Sequence, residues 1–259
     1  MKYYVVDAFT DRVFKGNPAG ICVLDRAIDE ELMQKIAYEN NLSETAFVVK
    51  NGNSYDLRWF TPKAEIDLCG HATLGTAYVI SNYVDVGIDE MKFNTVSGVL
   101  GVKRINDLYE MDLHSREPRK VEISRVEIED VLKTKVEGIY LSRDLFVLLQ
   151  NEQQVKNISP DFSKMIKVKE GLGVIVTARG NDVDFISRCF YPKLGVNEDP
   201  VTGSAHSSLI PFWSKKLGKE KMLAQQISKR GGMLYCEMAE SRVKVSGKAA
   251  IYMEGNINI

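Results

Sequence analysis

The chain has 259 residues, of which 44% are hydrophobic and 27% are charged, a balance typical of a soluble globular protein. Its 34 Lys and Arg residues nearly match its 35 Asp and Glu residues, so net charge gives no reason to expect a nucleic-acid or membrane partner. Met1–Asp7 reads as a first strand rather than a signal peptide, and no apolar run approaches the length of a membrane span. We therefore expect a cytoplasmic protein with reduced cysteines.

The first half of the chain is predicted to be mostly sheet. Short apolar segments bounded by Gly, Asn, Asp and Pro predict strands at Met1–Phe9, Ala19–Leu24, Thr45–Lys50, Tyr55–Thr61, Asp89–Asn94, Gly98–Arg104 and Leu108–Leu113. Asp29–Asn40 has the apolar spacing of an amphipathic helix, with Asp29 as its N-cap. His71–Tyr83 carries apolar residues on all sides, which is typical of a helix enclosed by sheet.

The second half is predicted to repeat this plan. Strands are expected at Gly138–Leu141, Asp144–Leu149, Gly173–Thr177, Asp184–Phe190, Gly232–Cys236, Arg242–Ser246 and Ala249–Glu254. Ser204–Leu217 predicts the inner helix of this half, and Pro211 is expected to kink it or to begin a second helical piece. The charged stretch around Pro118 predicts domains at 1–117 and 118–259, and the last strand can return to the first half.

Two segments of the chain carry the same signature. Arg58–Lys63 and Arg188–Lys193 share an Arg-x-Phe-x-Pro-Lys pattern, and each is followed by a loop and a glycine, Gly70 or Gly203, that opens a helical run. A glycine at a helix start leaves backbone N–H groups uncovered, and these attract an anion. If the halves pack about a pseudo-twofold axis, the two helix starts are expected to share one cleft and to clamp a small carboxylate.

Several motifs together resemble the PhzF-like isomerases, which are relatives of diaminopimelate epimerase. The motifs follow one another in the family's order through nearly the whole chain: Phe14–Gly20, Ser43–Phe47, Phe60–Pro62, Cys69–Thr73 and Glu198–His206. The resemblance implies an α+β fold of two pseudo-symmetric domains, each a β-barrel-like roll around a central helix. It also implies an active site between the halves, a homodimer and no cofactor.

The resemblance also implies which residues act. The acid–base residue of the family falls on Glu44, and its supporting polar residues fall on His71, Asp199 and Ser204. The residues expected to bind substrate are Asn17, Gly70, His71, Ala72, Gly203, Ser204 and Ala205. A carboxylate within reach of two carbons can take a proton from one and return it to the other.

Each of these residues also has a structural interpretation without chemistry. A Glu at a strand edge is usually a solvated residue, and His71 can simply bond a nearby carbonyl at a helix start. Asp199 and Ser204 can act as a turn residue and a helix cap. No metal is expected, because the side chains of ligand type lack the i, i+3 or Cys-x-x-Cys spacing of a metal site.

The residues before the two glycines separate this chain from the epimerases. In that branch a cysteine at each position supplies one of two bases, whereas here the positions hold Cys69 and Thr202. A threonine hydroxyl is far too weak an acid to replace a thiol, so epimerisation by two thiols is not expected. A helix start lowers the pKa of a thiol, so Cys69 is expected to react with alkylating agents even without a catalytic role.

These observations predict a cofactor-independent isomerase that uses Glu44 to move a proton within a small cyclic or unsaturated carboxylic acid. Two alternatives stay open. One is an amino-acid racemase or epimerase that uses Glu44 or Cys69 with an unrecognised partner. The other is a family member that has lost its chemistry and serves as a small-anion binding or interaction module.

Overall fold

The computed structural model describes residues 1–259. The chain forms two compact units, one made of Met1–Asp112 with Val245–Ile259 and the other of Leu113–Lys244. Each unit combines several strands with few helices, so the architecture is α+β, as predicted. None of the helices is long and apolar enough to cross a membrane.

The strands and helices up to residue 114 lie close to their predicted positions. They are β1 (Lys2–Ala8), β2 (Asn17–Leu24), α1 (Glu30–Asn40), β3 (Glu44–Asn51), β4 (Ser54–Phe60), β5 (Glu65–Ile66), α2 (Gly70–Val79), β6 (Glu90–Thr95), β7 (Gly98–Ile105) and β8 (Leu108–His114). The N-cap of α1 is confirmed, because the Asp29 side chain accepts a hydrogen bond from the Leu32 amide.

The rest of the chain holds more elements than the sequence patterns indicate. They are β9 (Arg119–Lys120), α3 (Arg125–Leu132), β10 (Gly138–Leu141), β11 (Leu145–Leu148), α4 (Glu152–Asn157), α5 (Phe162–Met165), β12 (Val174–Arg179), β13 (Phe185–Tyr191), β14 (Val196–Asp199), α6 (His206–Leu217), β15 (Lys221–Gln226), β16 (Gly232–Ala239), β17 (Arg242–Gly247) and β18 (Ala249–Asn256). The helices α3, α4 and α5 and the strand β15 have no counterpart among the predicted elements. The short strands β5, β9 and β14 have none either.

The two units repeat one order of strand pairing. In the first unit, β1 pairs antiparallel with β2, β2 parallel with β3, β3 antiparallel with β4, β4 parallel with β6 and β6 antiparallel with β7. The second unit repeats this succession of directions along its strands β10, β11, β12, β13, β15 and β16. The internal repeat that the sequence shows in its motifs is therefore also a repeat of topology.

Each unit has an inner helix that packs on its sheet. In the first unit, α2 contacts β1, β2, β3 and β18, and nearly all of its side chains are buried, as its apolar composition predicts. The α-helical part of α2 ends at Val79, earlier than the predicted Tyr83, and the chain continues as a π-helical turn over Ile80–Val84. In the second unit, α6 contacts β15 and β16.

Pro211 does not begin a second helical piece in the second unit, which was one of its two expected effects. The helix α6 runs without interruption through Pro211, and its irregularity is a 3₁₀ turn at Gly203–Ala205 that precedes it. Proline lacks the N–H that normally bonds the carbonyl four residues earlier. Here that carbonyl, on Ser207, accepts a hydrogen bond from the Arg116 amide at 2.8 Å. Because the orphaned acceptor is satisfied from outside the helix, the helix does not need to break.

Candidate active site

A tight turn before β2 places Asn17 beside the inner helix of the first unit. Gly16 has a φ of +63°, and a Cβ at this position would lie 2.1 Å from the Ala8 carbonyl oxygen, so only glycine fits the turn. The Asn17 side chain that follows is fully buried, and its Nδ2 lies 3.1 Å from His71 Nδ1.

The start of α2 supplies Cys69 and His71. Cys69 is the N-cap residue and makes no side-chain hydrogen bond to the first turn, so the side chain at this position leaves the amides of that turn uncovered. The Cys69 Sγ lies 3.5 Å from His71 Nδ1 and 3.9 Å from His71 Nε2. Gly70 is half-buried and Ala72 is fully buried, so the Ala72 side chain is not available to a ligand.

Glu44 completes this cluster from the first residue of β3. Its Oε2 lies 2.9 Å from His71 Nε2, and the side chains of His71 and Glu44 are 7% and 17% exposed. The contact has the distance of an ion pair but not the alignment of a hydrogen bond, and the buried Oε2 accepts no hydrogen bond. We interpret the contact as electrostatic, and it leaves the lone pairs of Oε2 available to a ligand.

Burial and charge act in opposite directions on the protonation of this cluster. Burial raises the pKa of the Cys69 thiol, and the His71 ring offsets only part of that rise, so Cys69 is a neutral thiol at neutral pH. The expectation of a thiol activated by the helix start is therefore wrong. Burial opposes protonation of His71, but its charged neighbours outweigh burial, and the pKa of His71 lies above its ordinary value. The neighbours that raise it are the Cys69 sulfur, which has the larger effect, and the Glu44 carboxylate.

A second polar cluster lies in the other unit around Gln226, the last residue of β15. Gln226 is fully buried, and its Oε1 accepts from the Thr202 amide at 2.9 Å while its Nε2 donates to the Asp199 carbonyl at 2.8 Å. The Thr202 hydroxyl donates to Asp199 Oδ2 at 2.5 Å. Gln226 thus fixes the backbone on which Asp199 and Thr202 stand.

The residues after Thr202 open the second inner helix. Ser204 is half-buried, whereas Gly203 and Ala205 are buried, so the Ala205 side chain is not available to a ligand. The Thr202 side chain does not cap this helix start. His206 Nδ1 donates to the Thr202 carbonyl at 2.9 Å.

Each of the two helix starts contains an equivalent hydrogen bond that the sequence motifs do not reveal. In the first unit, Thr73 Oγ1 donates to the Cys69 carbonyl at 2.6 Å, as His206 does to Thr202 in the second. In both cases the side chain of the fourth residue after the N-cap residue bonds back to the N-cap carbonyl. Thr73 and His206 therefore occupy equivalent positions despite their different chemistry.

The duplicated Arg-x-Phe segments also make the same contacts in each unit. Arg58 forms two hydrogen bonds with the Glu65 carboxylate and lies 5.1 Å from the centre of the Phe60 ring. Arg188 forms two with Glu198 and lies 5.2 Å from the Phe190 ring. These arginines tie β4 to β5 and β13 to β14, so each signature fixes the strand that leads into an inner helix.

Sequence reasoning named most of these residues but missed Gln226. It did not predict β15, and a buried glutamine at the end of an unpredicted strand gives no pattern to find. Of the predicted residues, the first unit brings together Asn17, Glu44 and His71, with Cys69 beside them. Asp199 and Ser204 lie at the helix start of the second unit.

The comparison with protein families gives one match over nearly the whole chain. Residues 6–255 match the model of the phenazine biosynthesis-like protein family, PhzC-PhzF. A protein from Pseudomonas aeruginosa named as an uncharacterized isomerase is 45% identical over an alignment of 266 positions, which spans 99% of this chain and 98% of that protein. A crystal structure of a PhzF-family protein from Enterococcus faecalis is 51% identical, covers 100% of this chain and 99% of that one, and has a TM-score of 0.98.

A more distant structure confirms the fold class. A predicted epimerase from Pseudomonas aeruginosa is 19% identical, covers 99% of this chain and 98% of that one, and has a TM-score of 0.78. The α+β architecture expected from the resemblance is thus shared with this structure. The protein is an enzyme of the isomerase class, as its relatives are named. The family match and the similarity over the full length together show that the chain belongs to the phenazine biosynthesis-like family, PhzC-PhzF.

Proposed function

We propose that the protein is a cofactor-independent isomerase that moves a proton within a small cyclic or unsaturated carboxylic acid, with Glu44 as the acid–base group. The observation that carries this proposal is the Glu44 carboxylate, which is largely buried, lies 2.9 Å from His71 and has an Oε2 that accepts no hydrogen bond. Apart from its ion pair with His71, this oxygen keeps lone pairs that can take a proton from a substrate.

The proposed step needs no external reactant. Glu44 takes a proton from one carbon, the electron pair of that C–H bond moves into the conjugated acid, and the same carboxyl returns the proton to a second carbon. His71 beside Glu44 supplies positive charge, because its pKa lies above the ordinary value. That charge stabilises the anion that develops on the substrate.

The internal repeat supports a single base. In the first unit, Thr45 pairs with Phe60, and Glu44 precedes Thr45 on β3. In the second unit, Val174 pairs with Phe190, and the residue before Val174 is Gly173. The position of Glu44 thus holds a glycine in the other copy, and the position of Cys69 holds Thr202. The repeat duplicates the framework but not the acid–base group.

The roles of the second unit rest on the family resemblance. We propose that Asp199 and Ser204 bind or orient the substrate, and that the amides near Gly70 and Gly203 hold its carboxylate together with Asn17, Ala72 and Ala205. The uncapped helix starts support this role, since neither N-cap side chain covers the first turn. A homodimer is also proposed on the resemblance, and sedimentation equilibrium checks it.

The racemase alternative differs from this proposal because it can require Cys69 to act as a base. A thiol serves as a base only as the thiolate. Burial raises the pKa of Cys69 and so disfavours that form. We therefore rank the racemase second.

The test is a set of three variants, assayed on a substrate found by screening unsaturated cyclic acids and amino acids. Glu44→Gln is expected to lower turnover at least about a hundredfold, the scale of losing a positioned general base. Glu39→Gln, at an exposed position on α1, is the matched control and should keep turnover. Cys69→Ser should cost little. A loss in Cys69→Ser equal to that in Glu44→Gln, with the fold intact by circular dichroism, favours the racemase.

A further inference from the structure

The second unit holds a buried carboxylate next to the position that corresponds to Glu44. The parallel strands β11 and β12 set Asp144 beside Gly173, as β2 and β3 set Ala19 beside Glu44 in the first unit. Asp144 is only 3% exposed, and its Oδ1 accepts a hydrogen bond from the Gly173 amide at 3.1 Å. A buried carboxylate needs hydrogen-bond donors and a partner of opposite charge, and the neighbours of Asp144 supply both.

These neighbours are Tyr191 and Arg143. The Tyr191 hydroxyl donates to Asp144 Oδ2 at 3.3 Å, and Arg143 Nε lies 3.5 Å from the same oxygen. A Cβ at Gly173 would lie 2.3 Å from the Tyr191 ring, so the ring takes the space that a side chain would need there. Where the first unit has the Glu44 side chain, the second unit therefore has a tyrosine that helps to hold Asp144.

Arg143 keeps hydrogen-bond donors for a further partner. Its guanidinium carries five N–H groups in a planar fork. The contact with Asp144 is made through Nε, and Tyr191 is the other polar neighbour of the group. The Arg143 side chain is 34% exposed. Asp144 and Tyr191 thus hold the guanidinium in place and leave donors that fit the two oxygens of a ligand carboxylate.

These side chains lie at the same end of the second unit as Asp199 and the start of the inner helix. Ser142, which precedes Arg143, has its Oγ 2.7 Å from the Ser208 Oγ in the first turn of α6. Tyr191 lies on β13 two residues after the residue that pairs with Asp199. Arg143 is therefore close to the part of the second unit to which substrate binding is assigned under the proposed function.

A second cation lies on the loop that contacts Arg143. The Leu172 amide donates to the Arg143 carbonyl at 3.0 Å, and Lys193 Nζ donates to the Gly171 carbonyl at 2.7 Å. Among the groups joined by these contacts, two positive charges stand against the single carboxylate of Asp144. This balance favours the binding of one more negative group.

We propose that Arg143 binds a second acidic group of the substrate, so that the substrate is a small dicarboxylic acid. This inference rests on the proposed function, in which the amides near the two helix starts hold the first carboxylate. Asp144 and Tyr191 are positioning residues, because they act through the guanidinium that they hold. A monocarboxylic acid leaves the Arg143 donors to water, and the protein then binds it more weakly.

Calorimetry with saturated acids tests the inference without turnover. The probes are succinate, glutarate, adipate and pimelate, each compared with the monocarboxylate of the same chain length, from butyrate to heptanoate. Without a double bond these probes cannot be isomerised, so only binding is measured. At least one diacid should bind about tenfold or more tightly than its monoacid, the scale of a charge-assisted bidentate hydrogen bond. A wild-type protein that binds no diacid more tightly than its monoacid overturns the inference.

Three variants assign the preference to Arg143. Arg143→Gln should abolish it and leave the affinity for the monoacid unchanged. Arg143→Lys keeps the charge but not the fork, so it should retain only part of the preference, and it replaces Arg143→Gln if circular dichroism shows that the latter is misfolded. Arg179→Gln, at an exposed position on β12 in the same unit, is the matched control and should keep the full preference. An undiminished preference in either Arg143 variant overturns the inference.

The inference and the proposed function fail separately. Normal turnover in Glu44→Gln contradicts the proposed function and leaves the preference for saturated diacids unaffected. Absence of that preference contradicts the second acidic group and leaves the Glu44→Gln result unaffected. If both proposals hold, the substrate found by screening is an unsaturated diacid, and Arg143→Gln should raise its KM about tenfold or more with a much smaller change in kcat.

Discussion

Two buried histidines show how neighbouring groups set a protonation state. His71 contacts the Glu44 carboxylate, and its pKa lies above the ordinary value despite burial. Burial lowers the pKa of His206 to about 4, and the hydrogen bond to the Thr202 carbonyl offsets only part of that fall. The Nε2 of His206 is buried without a hydrogen-bond partner. Charged neighbours therefore favour protonation of His71, and without such neighbours burial keeps His206 neutral.

The neutral His206 predicts acid sensitivity of the fold. The unfolded chain takes up a proton at the ordinary pKa of 6.5, whereas folded His206 does so only near 4. Between these values the unfolded state binds more protons, so the free energy of unfolding falls as pH drops from about 6.5 to 4, by roughly 3 kcal/mol. Urea unfolding at several pH values measures this loss.

The repeat itself offers the matched control for His206. His206→Thr introduces the residue type found at the equivalent position of the first unit. There the hydroxyl of Thr73 makes the equivalent hydrogen bond. This variant retains a donor for the Thr202 carbonyl but cannot titrate. Its free energy of unfolding should fall by about 3 kcal/mol less than that of the wild type over the same pH range. Parallel pH profiles for the two proteins would mean that His206 is not the group responsible.

Candidate site residues could be named from the sequence only where a motif contained them. Glu44, His71, Asp199 and Ser204 stand in motifs that resemble a family, so the sequence could single them out. The contact between Glu44 and His71 depends on how β3 lies against α2, which no local spacing encodes. The raised pKa of Cys69 was missed for a related reason. A helix start is visible in the sequence, but the burial that overrides it is a property of the packed fold.

At the scale of the element, β15 completes the repeated order of strands in the second unit. It pairs with β13 and β16 in the places that β6 takes beside β4 and β7. Its sequence, Lys221–Gln226, has few β-branched or aromatic residues and was not predicted to be a strand. Pairing on both sides overrides that weak propensity. Its last residue, Gln226, then lies where it can bond Thr202 and Asp199.

Gln226 is expected to be essential for the local structure around Asp199. Gln226→Leu keeps the approximate size of the side chain but leaves the Thr202 amide and the Asp199 carbonyl without these partners. Losing these two hydrogen bonds, one of them to a buried amide, should lower the free energy of unfolding by about 2–4 kcal/mol. Urea denaturation measures the change. Gln225→Leu, on the opposite face of the same strand, is the control and should change stability by less than about 1 kcal/mol.

The inner helices show which predictions about elements can fail. The position of α2 followed from its apolar composition, since a helix buried on nearly every side must be apolar on every side. The expected break at Pro211 failed because its consequence depends on a distant residue. The carbonyl that proline leaves unbonded accepts from the Arg116 amide, and no pattern within the helix reveals that partner.

At the scale of the whole molecule, the repeat separates framework from chemistry. Both units keep the same strand directions, the same Arg–Glu pair and the same bond back to the N-cap carbonyl. They differ where chemistry is proposed. The position of Glu44 corresponds to that of Gly173 in the second unit, and the position of Cys69 corresponds to that of Thr202. The framework was predictable because its motifs occur twice in the sequence. The difference between Cys69 and Thr202 could also be seen there, whereas the correspondence of Glu44 with Gly173 appears only in the strand register.

A single acid–base group makes a specific prediction for turnover in D₂O. In the proposed reaction Glu44 returns the proton it has taken, so the hydrogen should leave one carbon and arrive at another. Deuterium should appear only at the receiving carbon, in less than one atom per turnover, because part of the original hydrogen returns before it exchanges with solvent. Mass spectrometry and proton NMR of the product after a few turnovers measure both quantities, and Glu44→Gln serves as the control without exchange.

The alternatives predict different labels in the same experiment. A racemase with two bases removes a proton from one face and delivers a solvent deuteron to the other face of the same carbon. Full deuteration at the carbon that lost its hydrogen would therefore refute transfer by one carboxylate. A binding module would exchange no hydrogen with any acid, yet a bound acid would still raise the melting temperature. The isomerase thus requires hydrogen lost from one carbon, partial deuterium at another, and neither in the absence of the Glu44 carboxylate.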